Sequence, residues 1–238
     1  MAGTEKQILK CNLGTIDELS ALTDENIALI NSKIICKHHA AGETVFMQDD
    51  PCKGLYFVEQ GLIVIRKVDS EGRTAVVRLA FQGDTLGYRP MLAKENHRAS
   101  ADVIKPAVVC FIDTATMLGI LHSNPDLGMK FLERTAKALG DVEERFFEVA
   151  ALNVRIRLVH LLLLLNERFG HISSDGKLIL ELPLTRRDMA SMIGAQPESV
   201  SRTFHDLQAE GLASFSGRNV HVPAYDRLVE ELHTTLNG

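Results

Sequence analysis

The stretch from Leu184 to Leu212 constrains this chain more than any other, because it spells two short helices around a glycine turn. Thr185 precedes a helical pattern with Asp188 three residues on, so its hydroxyl can cap the free N–H groups of a helix start. Met189, Ala190 and Ile193 then share one face. Gly194 can take the left-handed conformation that ends this helix, and Pro197 suits the first turn of the next, where its missing N–H costs nothing. Val200, Phe204 and Leu207 form the buried stripe of the second helix, which turns Gln196, Glu198, Ser199, Ser201, Arg202 and His205 outward.

This is a helix-turn-helix pattern, with small polar side chains at the end of the second helix that usually enters a major groove. Arg202 can donate twice to a guanine edge, Glu198 can accept from a cytosine amino group, and Ser201 can do either. Thr185, Arg186 and Ser199 are candidates for the DNA backbone. Beyond Gly211, the runs Ala213–Phe215 and Val220–Val222 flank Ser216-Gly217-Arg218-Asn219 and predict a β-hairpin, the wing of a winged helix-turn-helix. An ordinary helical hairpin shares the glycine turn, but not the cap, the proline and the wing together.

A chain of 238 residues with 45% hydrophobic content can hold two ordinary domains. No run approaches the ~18 to 20 apolar residues needed to span a bilayer, and Met1 to Lys6 lacks a signal-peptide pattern, so a cytoplasmic protein without membrane partners is expected. The net charge is -5, and from Val154 onward there are 9 Lys+Arg against 10 Asp+Glu, so any DNA affinity must come from local clustering of charge. A P-loop, a Gly-x-Ser-x-Gly elbow and a His-Glu-x-x-His pair are all missing, and the expectation is that the chain is not an enzyme. Cys11, Cys36, Cys52 and Cys110 are widely spaced with no Cys-x-x-Cys pair, which excludes a zinc ribbon or a thioredoxin motif.

Three further regions precede the reader. Residues 1–33 form an N-terminal segment. From about Ile34 to Asp113 short β-rich runs, clearest at Val45–Met47, Gly54–Val58, Leu62–Ile65, Ala75–Leu79 and Val108–Ile112, are punctuated by Gly42, Gly54, Gly61, Gly72, Gly83 and Gly87. That spacing fits a double-sheet β-roll, placed at residues 34–125. A seam then recurs as Leu132, Thr135, Leu139, Val142, Phe146, Val149, Asn153 and Ile156, alternating steps of three and four. This heptad period predicts a dimerisation helix over residues 126–157, with Thr135 and Asn153 fixing register; a core helix packed on the roll is the alternative. Leu158–Leu165 is too short to cross a membrane and is expected to anchor the core of a DNA-binding domain at 158–238, with His160 a core histidine.

The order of roll, long helix and winged helix-turn-helix resembles the Crp/Fnr superfamily of bacterial transcription regulators over nearly the whole chain. Ala41–Phe46, Leu55–Gly61 and Gly83–Tyr88 look like the family's roll signatures, and Glu198-Ser199-Val200-Ser201-Arg202 looks like the recognition helix of the fumarate and nitrate reduction branch. The resemblance implies an α+β fold: an N-terminal cyclic-nucleotide-binding-like jelly roll, a dimerisation helix and a C-terminal winged helix-turn-helix. It further implies a signal-responsive homodimer, an activator working with RNA polymerase, in which Glu198, Ser201 and Arg202 read a palindrome like TTGAT-N4-ATCAA. A regulatory subunit of a cyclic-nucleotide-dependent enzyme or channel, sharing only the roll, is the alternative of another class.

For the effector the resemblance points to Tyr88, Arg89, Arg98 and Cys110. The cyclic AMP branch carries Glu after the roll glycine and an Arg-Ser pair for the cyclic phosphate; here Tyr88 follows Gly87 and Ala99 follows Arg98, which argues against cyclic AMP. The iron-sulfur branch uses a tight N-terminal group of three cysteines plus one in the roll. Cys110 looks like the roll cysteine and Cys11 like one of the group, while Cys36 and Cys52 lie on segments the family does not use. A cluster on these four cysteines, a reactive thiol, a disulfide such as Cys11 with a roll cysteine, and inert buried thiols all stay open. So does heme, with His38, His39 and His97 as candidate ligands.

Overall fold

The computed structural model describes residues 16–172, 178–223 and 225–236, so Cys11 lies outside the described residues. The chain divides into two compact units, Met1–Leu139 and Gly140–Gly238.

The first unit opens with a 3-10 turn at Asp17–Ala21 and helix α1 at Asp24–Lys33, capped by the Thr23 side chain accepting from the Asn26 N–H. Strands β1 (Ile35–His39), β2 (Thr44–Phe46), β3 (Gly54–Val68), β4 (Thr74–Ala80) and β5 (Thr85–Leu86) lead to the short helix α2 (Tyr88–Ala93) and strand β6 (Ser100–Asp113). Helix α3 (Thr114–Ser123) follows, capped by Asp113, and α4 starts at Pro125. The strands form an antiparallel sheet in the order β1-β6-β3-β4, with β2 also on β6 and β5 on β3.

The two long strands β3 and β6 carry the roll, because alternation along them feeds two cores at once. Leu55 and Phe57 of β3 join Val108, Cys110 and Ile112 of β6 in a core shared with Ile30, Met117, Ile120, Leu127 and Phe131 of the helices. Val58, Ile63 and Ile65 face the other way, with Val103, Ala107 and Val109. The two runs expected at Gly54–Val58 and Leu62–Ile65 are therefore one strand, bulged between them where Gly61 takes φ +99°. A side chain at Gly61 would come within 2.6 Å of Ala107, so glycine is needed there.

The structure corrects expectations for the cysteines and for the long helix. Cys36 and Cys110 face each other across β1 and β6 and their sulfurs are bonded as a disulfide, so neither stands free as a metal thiolate or as a partner for Cys11, which itself lies outside the described residues. Spacing along the chain could not show this, because 74 residues separate two cysteines that strand register brings together. Cys52 is a free thiol. Among the described residues no group of three or more His, Cys, Asp or Glu is placed to hold a metal ion.

The second correction concerns the long helix. α4 runs Pro125–Ala151 and stops, and α5 starts afresh at Val154–Phe169. Asn153 makes the break: its side chain accepts from the Ile156 N–H at 3.0 Å as an N-cap, the role for which asparagine is best suited. Asn153 and Ile156 therefore leave the seam, and Ile156 is buried in the second unit. Thr135 donates its hydroxyl to the Phe131 carbonyl one turn back on its own helix. Leu127 and Phe131 are buried in the first core, whereas Leu132, Leu139, Val142, Phe146 and Val149 are exposed, Phe146 by 76%.

In the second unit α5 is followed by strands β7 (Gly170–Ile172) and β8 (Leu178–Glu181), helices α6 (Arg186–Met192) and α7 (Pro197–Ala209), strands β9 (Ser214–Ser216) and β10 (Asn219–Val222), and helix α8 (Tyr225–Leu236). The wing is part of a sheet ordered β7-β8-β10-β9. Leu158, Val159, Leu161, Leu162 and Leu165 of α5 are buried, as their run implied. His160 is not a fully buried core histidine: it is half-buried, and its Nδ1 lies 2.5 Å from a carboxylate oxygen of Glu148. Among the described residues no helix is long and apolar enough to cross a membrane.

Candidate nucleic-acid interface

Helix α6 begins with a complete capping box, in which Thr185 accepts from the Asp188 N–H and the Asp188 carboxylate accepts from the Thr185 N–H. The Thr185 hydroxyl donates to the same carboxylate at 2.7 Å, so its proton is already committed. Gly194, at φ +61°, ends the turn, and Pro197 opens α7 at its first positions. Met189, Ala190, Ile193, Val200, Phe204 and Leu207 are all buried. Phe204 packs on Phe215 of the wing with ring centroids 4.1 Å apart, and the Arg186 guanidinium lies 5.2 Å over the Phe204 ring.

This packing leaves Gln196, Glu198, Arg202 and His205 exposed, with Ser199 and Ser201 half-buried beside them. Arg202 donates to the Ser199 hydroxyl at 3.3 Å, an exposed contact that DNA can replace at little cost. The three base-reading candidates Glu198, Ser201 and Arg202 thus share the first turns of one helix.

The effector candidates are dispersed into separate contacts. Tyr88 lies against Phe131, with its ring 5.2 Å from the Arg134 guanidinium. Arg89 and Arg98 both pair with Glu95, at 2.8 and 2.9 Å, which holds the Glu95 carboxyl below its usual range. Cys110 is fully buried in the disulfide. Of the heme candidates, His39 contacts Glu43 at 3.1 Å and His97 is 97% removed from solvent, stacked on Phe46 with centroids 3.9 Å apart. Burial holds the His97 imidazole below its usual range, and its Nε2 has no partner. The Cys52 thiol donates weakly to the Gly54 and Gly87 carbonyls, and burial pushes it up.

Two arginines that sequence reasoning passed over bond to the reader. Arg157 on α5 donates to the Ile193 carbonyl at 2.6 Å, and Arg155 binds both carboxylate oxygens of Glu210 just after α7. Their place one and three residues before the apolar run of α5 carried no signal, because their partners lie 36 and 55 residues away.

Residues 36–124 match the cyclic nucleotide-binding domain, and residues 156–231 match the Crp-like helix-turn-helix domain. The chain belongs to the Crp/Fnr family of transcription regulators. It is 29% identical over 174 residues to the nitrogen fixation regulation protein FixK of Bradyrhizobium diazoefficiens, covering 73% of this chain and 72% of that one. It is 25% identical to the transcriptional activator protein FnrL of Cereibacter sphaeroides, covering 90% and 87%. The solved structure of FixK2 from Bradyrhizobium japonicum shares the fold, with a TM-score of 0.70 and 23% identity over 83% of this chain and 96% of that one. This Crp/Fnr regulator is accordingly a DNA-binding protein whose relatives are regulators, not enzymes, and the enzyme- or channel-subunit alternative falls.

The regulator's roll does not fit a cyclic nucleotide on the residues present. The position after Gly87 is the aromatic Tyr88, turned to Phe131, and Arg98, which by sequence position would meet the cyclic phosphate, is exposed and paired with Glu95. Phe46, Tyr56 and His97 cluster on the other face of β3, with centroids 3.9 to 6.2 Å apart and Phe46 stacked on His97. The described cysteines do not fit an iron-sulfur cluster either, since two of the three are joined to each other.

Proposed function

We propose that this regulator works as a homodimer that reads a TTGAT-N4-ATCAA-like palindrome and, by way of RNA polymerase, activates transcription in the cytoplasm in response to a signal received in the roll. The observation that carries the reading is the placement of Glu198, Ser201 and Arg202 on the outward face at the start of α7, flanked by Arg186 and Ser199 for the backbone. Arg202 serves as a bidentate donor to guanine, Glu198 as an acceptor for a cytosine amino group, and Ser201 as an adaptable partner.

A palindrome calls for two copies of α7 about one turn of DNA apart, ~34 to 36 Å. The exposed stripe Leu132, Leu139, Val142, Phe146 and Val149 on α4 supports pairing with a second copy, since an isolated helix gains nothing from displaying such a row to water. The foot of α4 is fixed to the roll. Arg134 bonds both Glu18 and Asp84, and Glu18 in turn accepts from the buried Thr85 hydroxyl at 3.3 Å. A change in the roll that alters this cluster therefore bears on α4, provided the signal stabilises one state over the other.

Fluorescence anisotropy with the palindrome and a scrambled duplex tests the reading. The native chain should prefer the palindrome and Phe146→Asp should sediment as a monomer with that preference lost. Equal affinity of the native chain for both duplexes would overturn the specificity, and an unchanged sedimentation coefficient for Phe146→Asp would overturn the seam.

A further inference from the structure

We infer that Arg155 and Arg157 are positioning residues for DNA reading: from the first turn of α5, Arg157 holds the turn that leads into α7 and Arg155 holds the C-terminal end of α7, and neither meets DNA. The inference rests on α7 being the helix that reads bases. Arginines in a DNA-binding unit are ordinarily assigned to phosphates, but the partners of these two leave little for that role.

Arg157 is 92% removed from solvent. Its Nη1 donates to the Ile193 carbonyl at 2.6 Å and lies 3.5 Å from that of Gly194. These carbonyls belong to the C-terminal end of α6, where the helix leaves its acceptors unmet, and to the turn that aims α7. A side chain built on Gly194 would lie 3.5 Å from Arg157 Nη1 and 3.2 Å from Val149, so turn, guanidinium and the last turns of α4 are in close contact. The Nε of Arg157 has no partner, a cost that a merely space-filling residue would not carry.

Arg155 holds the other end. Its Nη1 and Nη2 reach the two carboxylate oxygens of Glu210 at 2.9 and 2.5 Å, and its Nε reaches Glu231 of α8 at 2.8 Å. Glu210 lies directly after the last residue of α7, so the fork ties the end of that helix to α5 and α8 together. The same bonds hold the Glu210 carboxyl below its usual range and raise Arg155 above its own. An exposed ion pair adds little to stability, whereas base readout needs side chains held to within about half an ångström.

The test uses the full chain and a duplex enriched by the native protein from a random DNA pool. Specific and non-specific affinities and their salt slopes are measured for Arg155→Gln, Glu210→Gln, the double variant and Arg157→Lys, with thermal melts alongside. Glu210→Gln is decisive because removing an acid from a DNA-binding surface should by charge alone tighten binding to every sequence. Positioning predicts the reverse for the cognate site. The specific to non-specific ratio should fall about tenfold, roughly the loss of one good base contact, in both Arg155→Gln and Glu210→Gln, and the double variant should lose no more than either. Arg157→Lys keeps the charge and should lose a similar share of the ratio. A ratio unchanged in Glu210→Gln would overturn the inference, as would an Arg155→Gln variant whose two affinities fall together with a reduced salt slope, the mark of a phosphate contact. If the native chain enriches no sequence, α7 is not a base reader and the inference goes with it; a native preference that the variants retain removes the clamp alone.

Discussion

On α7, Glu198, Arg202 and His205 stand exposed, and among the described residues Arg202 makes only a weak contact with Ser199. In the roll and at the foot of α4 packed on it, Arg89, Arg98 and Arg134 each already bind a carboxylate, and Tyr88 packs on Phe131. One region keeps its polar side chains for a partner, and the other spends them on its own framework. The difference shows in which residues a substitution should harm. Changes on α7 should cost binding and spare the fold, while changes in the roll should cost stability first.

The largest effect should come from Arg134→Met, which leaves Glu18, only 2% exposed, without its cation. A loss of about 3 kcal/mol in urea unfolding of the roll is expected, as for a buried carboxylate stripped of its partner; a loss below about 1 kcal/mol would mean this cluster is no tighter than a surface pair. Next is Cys36→Ser, which should lose ~2 to 4 kcal/mol under oxidising conditions and almost nothing in reductant, since it opens a 74-residue loop. Thiol titration of the native chain in denaturant should find two of its four cysteines unreactive until reduced. Four reactive thiols before reduction would break the comparison at its strongest point in the roll.

Arg202→Ala should reduce cognate affinity by ~1 to 3 kcal/mol and leave the melting curve where it was. A lowered melting temperature would place Arg202 with the roll arginines, as framework. The smallest effect belongs to His97. Because burial lowers its folded pKa below the usual 6.5, the unfolded chain takes up a proton first as pH falls, so the contribution to stability is complete above about pH 6.5 and declines below it. The melting temperature should drop by a few degrees between pH 7 and 5.5, and His97→Phe should flatten that slope; an equal slope in the variant would assign the pH dependence elsewhere.

What the sequence disclosed follows the same division. The reader was legible because its determinants are local: cap, glycine, proline and stripe all lie within the 29 residues from Leu184 to Leu212. The roll was legible as a class, through alternation and glycine punctuation, but the fusion of two runs into β3 depended on Gly61 meeting Ala107. The partners of the effector candidates were not legible because resemblance gives positions and not partners: Glu95 lies three residues before Arg98 and six after Arg89 and takes both. The seam overran by two steps because Asn153 and Ile156 keep the heptad period across a break that Asn153 alone announces. Asparagine at a heptad position and asparagine at a helix cap are the same letter, and only the backbone tells them apart.

The Cys36–Cys110 bond has a practical consequence for anyone handling the protein. It joins the edge strand of the roll to β6 and encloses β2 to β5 and α2 between its two ends. A protease that nicks any loop in that interval cuts the chain without dividing it. Clipped material would travel as one band on a non-reducing gel and part into fragments only with reductant, so an intact mass in the absence of reductant is no proof of an intact chain.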